Sequence, residues 1–288
     1  MLMSRSRFYG QASLGKWTMN GFLEANGARI YYEVAGEGEP LLLIHGFNLD
    51  TRLWDAQLQA FAQMYKVVRF DIRGFGKTLA TDVPFTLYDD VKAVLLGLGI
   101  EKTHVAGLSF GGMVAQEFAL AYPQMVSSLI LVASGLLGHP RSEQRLNDVE
   151  RFNQVCQRGT TEEALEMTTQ MWFDGPGQPV NEQAREARNR FKEMNRHAFS
   201  LPEFGAGLET LSPSPIERLE NIKAPTLVIA GARDYPDFLQ IADVLTERIT
   251  GAQKVILPDS AHIPPMDQPE VFNKLVLEFL AKNIVKSS

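Results

Sequence analysis

The ten residues VAGLSFGGMV, Val105 to Val114, constrain the fold more tightly than any other stretch. A branched apolar run, THVAGL from Thr103, reads as a strand, and FGGMVAQEFALAY from Phe110 reads as a helix, which leaves Ser109 alone on the turn between them. So sharp a turn strains the serine backbone and brings strand and helix almost into contact. The positions two before and two after it, Gly107 and Gly111, must therefore lack bulk. The pattern G-x-S-x-G arises by chance in about one chain in ten of this length. Its placement between a strand and a helix is what marks it as a nucleophile elbow rather than a glycine-rich turn.

The rest of the chain supplies strands for such an elbow. RIYYEV from Arg29, PLLLIH from Pro40, KVVRFD from Lys66, SLILVA from Ser128, PTLVIAG from Pro225 and KVILP from Lys254 are short and branched. From PLLLIH onward they are apolar almost throughout, as in strands buried on both faces, and helical stretches separate them. The spacing predicts an α/β fold with a mostly parallel sheet flanked by helices. Thr86 with Asp89, and Thr160 with Glu163, have the spacing of helix capping boxes. Between His139 and Ile216 the branched runs stop and charged, Met-rich helical sequence takes over, which reads as an inserted helical cap. The expected organisation is an N-terminal extension over 1–20, a core over 21–137 and 217–288, and a cap over 138–216. The extension contains Arg5, Arg7 and Lys16 but no apolar segment after them, so it reads as loosely docked rather than as a secretory signal.

Composition excludes several function classes. A net charge of -6 with mixed signs provides no basic stripe for nucleic acid. No apolar run reaches the roughly 18 residues of a membrane span. The single cysteine, Cys156, allows no internal disulfide, no Cys/His cluster has zinc spacing, and a cytoplasmic location is expected. In GFGKT, the end of a phosphate loop is mimicked by Gly76, Lys77 and Thr78. Asp71 stands where that loop needs its first glycine, and no helix follows, so a nucleotide site is not expected and Lys77 reads as exposed. Oligomeric state is left open.

A serine hydroxyl needs a base to become a nucleophile. Of the five histidines, His262 in PDSAHIPPMDQPE is best placed, on the loop after the last strand run. His45 belongs to a turn, and His104, His139 and His197 read as structural or surface groups. The imidazole needs a carboxylate to hold its tautomer. Asp234, directly after TLVIAGAR, is favoured for this role, with Asp237 a rival that reads better as a helix cap. The order Ser109, Asp234, His262 is the one associated with the elbow.

With these residues in that order, the chain resembles the α/β-hydrolase superfamily, in particular its capped bacterial esterases, lactonases and perhydrolase-like members, over about residues 21–284. HGFN at His45 to Asn48 looks like the family's oxyanion loop, and DIRGFGKT at Asp71 to Thr78 looks like a characteristic turn. The resemblance implies that the backbone amides of Phe47 and Phe110 bind the oxyanion. Relatives that open epoxides or remove halide have aspartate where this chain has Ser109, so those reactions are not implied.

The expected function is that of a serine hydrolase of the Ser-His-Asp type, acting on a small or medium carboxylic ester or lactone through an acyl-enzyme, with no cofactor and no metal. The alternatives are hydrolysis of a carbon-carbon bond, cofactor-free perhydrolysis, or a receptor-like protein with slow turnover. In the cap, Ala184, Ala187, Phe191, Met194 and Ala198 share one helical face. Met171, Trp172, Phe173, Phe191 and Met194 are candidates for an apolar acyl pocket, or else for the surface that docks the cap. Arg188 and Arg190 flank that stripe, so neutral acyl groups are expected, with Phe191→Ala impairing the longer chains.

Overall fold

A computed structural model describes residues 18–202 and 204–283. The larger part of the N-terminal extension lies outside the described residues. Its last residues, from Thr18, begin a strand that the sequence reading does not include.

The strands are β1 (Thr18–Ala25), β2 (Ala28–Ala35), β3 (Glu39–Ile44), β4 (Tyr65–Phe70), β5 (Phe85–Thr86), β6 (Thr103–Leu108), β7 (Val126–Val132), β8 (Leu208–Glu209), β9 (Thr226–Gly231) and β10 (Gln253–Leu257). The helices are α1 (Asp55–Phe61), α2 (Leu87–Gly97), α3 (Phe110–Ala121), α4 (Glu143–Arg158), α5 (Thr161–Thr169), α6 (Arg185–Ala198), α7 (Pro236–Arg248), α8 (Pro264–Asp267) and α9 (Pro269–Lys282). Eight strands form one sheet in the order β1-β2-β4-β3-β6-β7-β9-β10, antiparallel through β1, β2 and β4 and parallel from β4 to β10. Each predicted run lies in one of its strands. The run KVILP differs in burial: β10 closes the sheet, and most of its side chains are not buried because an edge strand has a neighbour on one side only.

Side chains from α2, α3 and α7 pack against one face of the sheet, and those from α1 and α9 against the other. The central strands are buried on both faces, with Leu41, Leu42, Leu43 and Ile44 wholly inside. The chain leaves β3 through α1 to reach β4 on one side, whereas β6 and β7 lie on the other. The loops after β3 and β6 therefore diverge to opposite faces. A crevice at such a switch point, outside the carboxyl ends of the strands, is where open parallel sheets bind ligands.

Residues 138–216 add α4, α5 and α6. Thr160 and Glu163 form the expected reciprocal cap at the start of α5, and the Thr86 hydroxyl accepts the Asp89 amide at the start of α2. The apolar face of α6 packs Phe191 and Met194 against Phe173, Ile263 and Met266. Helix α4 has no buried residue. Near its start, Ser142 and Arg145 bond the Asp237 carboxylate at 2.6 and 2.7 Å, and Asp148 accepts the Tyr235 hydroxyl at 3.0 Å. Asp237 thus does not cap α7, since Tyr235 occupies the cap position; it ties α4 to that helix. Burial opposes the charge on Asp237, but the Ser142 and Arg145 bonds hold its pKa below the ordinary range. Among the described residues no helix is long and apolar enough to cross a membrane.

Candidate active site

Ser109 is half-buried between β6 and α3, with φ of 54°. A left-handed backbone at a non-glycine residue costs on the order of 1–3 kcal/mol and persists only where its surroundings over-determine it. Here the Ser109 amide donates to the Val132 carbonyl at 2.9 Å, and its own carbonyl accepts the amides of Gly112, Met113 and Gly135 at 3.0, 3.2 and 3.1 Å. The glycines flanking it have the expected cause. A Cβ on Gly107 would overlap the Gly111 carbonyl oxygen, and one on Gly111 would overlap the carbonyl oxygens of Ile44 and His45.

Two other loops reach the serine. His262, after β10, lies with Nε2 2.8 Å from the Ser109 hydroxyl, and its Nδ1 is 2.6 Å from the Asp234 carboxylate. Asp234, after β9, is fully enclosed at its side chain, and its other oxygen accepts the Tyr235 amide at 2.7 Å. Nδ1 then carries the proton, which leaves Nε2 free to accept one from the serine. The sequence places the acid role on Asp234 or Asp237; Asp234 is the one within reach of the imidazole.

The loop after β3 carries Phe47, whose ring meets that of Phe110 edge-on with centroids 5.7 Å apart. Among the described residues neither amide donates a hydrogen bond within the protein. The loop is braced from below by His45, buried and neutral: Nδ1–H donates to the Gly46 carbonyl at 2.8 Å and Nε2 accepts the Ile72 amide at 2.9 Å. Burial pulls the pKa of His45 down and pushes that of neighbouring Asp71 up. The His45–Ile72 bond joins HGFN to DIRGFGKT, and Asp71 accepts the amides of Thr51 and Lys77, both at 2.8 Å. The Lys77 side chain is exposed, with its ammonium 3.9 Å from the Tyr31 ring centroid.

The five pocket candidates separate. Trp172, on a π-helical turn at Gln170–Asp174, packs its ring 4.8 Å from that of His262. Met171 joins the cluster with α3 and α7, while Phe173, Phe191 and Met194 join the cluster with Ile263 and Met266. Arg188 does not flank the stripe in solvent: it is buried and bonds Asp174 and Glu166, and Arg190 approaches Asp55 at 3.5 Å. The Arg188 and Lys192 cations hold Glu166 down at about 2, against a smaller burial effect.

Several side chains near the triad escape sequence reasoning. Phe238 lies 4.3 Å from the His262 ring, and the Arg145 guanidinium lies 4.5 Å above Phe238. Phe204 packs against Phe47, Phe75 and Phe110. Phe238 reads in the sequence as one apolar residue of an amphipathic helix, and no local pattern distinguishes it. A cavity of about 20 Å³, room for a water molecule, is lined by Phe110, Met113, Leu137, Leu208 and Pro215 among others. Among the described residues there is no cluster of three or more His, Cys, Asp or Glu able to hold a metal ion.

The chain is 30% identical, over 88% of its length and 95% of the relative's, to a protein of Azorhizobium caulinodans named as a carbamate hydrolase. It is 28% identical to the pimeloyl-acyl-carrier-protein methyl ester esterase of Aeromonas hydrophila, over 85% of this chain and 96% of that one. The solved structure of a thermophilic esterase from Thermogutta terrifontis superposes with a TM-score of 0.74 at 26% identity, covering 93% of this chain and all of that one (100%). The alpha/beta hydrolase fold family matches residues 39–269, and this chain, a hydrolase by its relatives and its fold, belongs to that family.

Proposed function

We propose that the protein is a serine hydrolase that cleaves a small or medium carboxylic ester or lactone through an acyl-enzyme. The observation that carries this reading is the unbroken chain from Ser109 through His262 to Asp234, at 2.8 and 2.6 Å, on a strained elbow at the switch point of the sheet. Ser109 attacks the carbonyl carbon as His262 Nε2 takes its proton, and the Asp234 carboxylate stabilises the imidazolium. The developing oxyanion is received by the amides of Phe47 and Phe110, a donor of this kind being worth about 3 kcal/mol. His262 then protonates the departing alkoxide and, in the second half, draws a proton from the water that releases the acid. This chemistry calls on neither a metal nor an organic cofactor.

In this reading residues 138–216 act as the cap and residues 21–137 with 217–288 as the core. Trp172 and Phe238 wall the imidazole, and Phe47, Phe110 and Phe204 offer apolar surface on the oxyanion side. The esterases among the matched relatives favour an ester over other acyl substrates. The one cysteine, exposed and free, accords with work in the reducing cytoplasm.

A fluorophosphonate probe followed by peptide mapping tests the assignment. Ser109 is expected to be the labelled residue, and Ser109→Ala is expected to abolish both labelling and hydrolysis of p-nitrophenyl butyrate. Undiminished labelling of Ser109→Ala would overturn the reading.

A further inference from the structure

We infer that Asp267 is a positioning residue, whose carboxylate clamps the loop that presents His262 and so sets the imidazole against both Ser109 and Asp234. This deepens the serine-hydrolase reading and rests on it.

The clamp closes a short circuit of chain. The Ser260 hydroxyl donates to the two Asp267 oxygens at 2.7 and 2.9 Å, and the Ala261 amide donates to one of them at 3.0 Å. Both donors belong to buried residues immediately before His262, and the acceptor follows it at the end of the single turn α8. His262 therefore sits at the crown of a loop pinned at its base. The pin is itself fixed: Pro264 and Pro265 restrict the turn, and buried Gln57 of α1 donates to the Pro265 carbonyl at 2.8 Å.

Ser260 also carries the restraint to the acid. Its carbonyl accepts the amide of Arg233, the residue before Asp234, at 3.0 Å, and the Ala232 amide donates to the Leu257 carbonyl at 2.9 Å. The two loops touch so closely that a Cβ on Gly231 would overlap the carbonyl oxygens of Ser260 and Ala261. One residue thus joins the base-bearing loop to the acid-bearing loop through its backbone and to Asp267 through its hydroxyl. A carboxylate suits this position because two donors converge on it and both its oxygens accept. An asparagine would keep one oxygen for the Ala261 amide and could meet Ser260 only with the hydroxyl reversed to accept from its NH2, so the charge-assisted bonds are lost. Trp172 and Phe238 restrain the imidazole ring sideways, but neither fixes the backbone from which it projects.

The test compares the parent with Asp267→Asn, Ser260→Ala and the double variant, each assayed well below its melting midpoint. Two rates are measured: kcat and KM on p-nitrophenyl butyrate, and second-order labelling of Ser109 by a fluorophosphonate. Misplacing a general base by about an ångström costs on the order of 100-fold, so Asp267→Asn is expected to lower both kcat and the labelling rate by about 10- to 100-fold, with KM little changed. Ser260→Ala is expected to give a smaller loss in the same two rates, and the double variant no more loss than Asp267→Asn. A merely structural carboxylate would lower the melting midpoint and leave both rates of the folded protein at the parent value, and that result overturns the inference. A rise in KM at unchanged kcat overturns it as well. Should Asp267→Asn fail to fold, parent-like rates in Ser260→Ala overturn it and reduced rates support it. If Ser109→Ala still labels, the serine-hydrolase reading itself has failed, and that outcome is read separately from the rates of the clamp variants.

Discussion

At the scale of single residues, burial distinguishes two hydrogen-bonded sets of serine, histidine and carboxylate. His104 Nδ1 lies 2.8 Å from the Ser128 hydroxyl and its Nε2 lies 3.2 Å from Glu39. Ser128 is wholly enclosed within β7, on extended backbone, and burial lowers the pKa of His104. That serine has no exposure, whereas Ser109 is half-buried on a turn, and among the described residues the amides of Phe47 and Phe110 donate no hydrogen bond within the protein. The sequence distinguishes the two histidines by position alone, one inside a strand run and one on a loop after it, and that suffices because loops at the carboxyl edge face the crevice. The acid is open to a sharper test. Asp234→Asn is expected to lower kcat by about 10⁴-fold, as loss of the tautomer-holding carboxylate does in other triads. Asp237→Asn removes only the acceptor for Ser142 and Arg145, so kcat on a short ester is expected to stay close to the parent value. Steady-state kinetics on the two variants decides; a large loss confined to Asp237→Asn would transfer the acid role.

At the scale of elements, legibility follows from where apolar side chains end up. The strands from β2 to β9 in the large sheet carry branched residues that the sheet buries, so composition alone locates them. β1 is missed because it is an edge strand whose Met19 and Phe22 are exposed. Its signal is the turn instead: Asn26 and Gly27 both have positive φ, as the Asn-Gly hairpin requires. Within residues 138–216, start signals and the face of α6 are legible, since they depend on local spacing. The partners of that face are not, because periodicity says which side chains align and not what meets them. The difference alters an expectation. As a pocket residue, Phe191 would govern acyl chain length. It is buried beside Phe173, with ring centroids 5.7 Å apart, in the same cluster as Ile263 and Met266, which is the environment of a packing residue. Phe191→Ala is expected to cost about 3–5 kcal/mol of stability, as truncation of buried phenylalanines does, and to leave the ratio of octanoate to butyrate ester turnover unchanged. Denaturant melting together with a chain-length series measures both; an altered ratio at unchanged stability would return Phe191 to the pocket.

At the scale of the whole molecule, the loops that present the candidate site also hold buried ionisable groups, and their pKa shifts couple stability to pH. Burial, partly offset by bonds from Ser260 and Ala261, raises Asp267 from 3.8 to about 6. The charged groups around it are Arg233 and Asp259, which pair with each other, Asp174, which is paired with Arg188, and Glu182. Because the folded-state value lies above the unfolded one, the native state binds the extra proton between about pH 6 and pH 4. The Asp267 contribution to stability therefore rises as pH falls through that window, toward a limit of about 3 kcal/mol for a shift of this size. His45 acts in the opposite sense: burial keeps it neutral in the fold, so the unfolded chain takes up its proton first, and stability is lost as pH falls below about 6.5. The two contributions partly cancel in the parent, which is why a variant is needed to separate them. Asp267→Asn removes the favourable one and leaves His45 in place. Its unfolding free energy, measured by urea melts from pH 7 to pH 4, is therefore expected to fall more steeply with acid than the parent's, the gap widening by about 2.5 kcal/mol across the range. Parallel curves would mean that Asp267 titrates alike in the folded and unfolded chain, and its carboxylate would then be no more costly to bury than one at the surface.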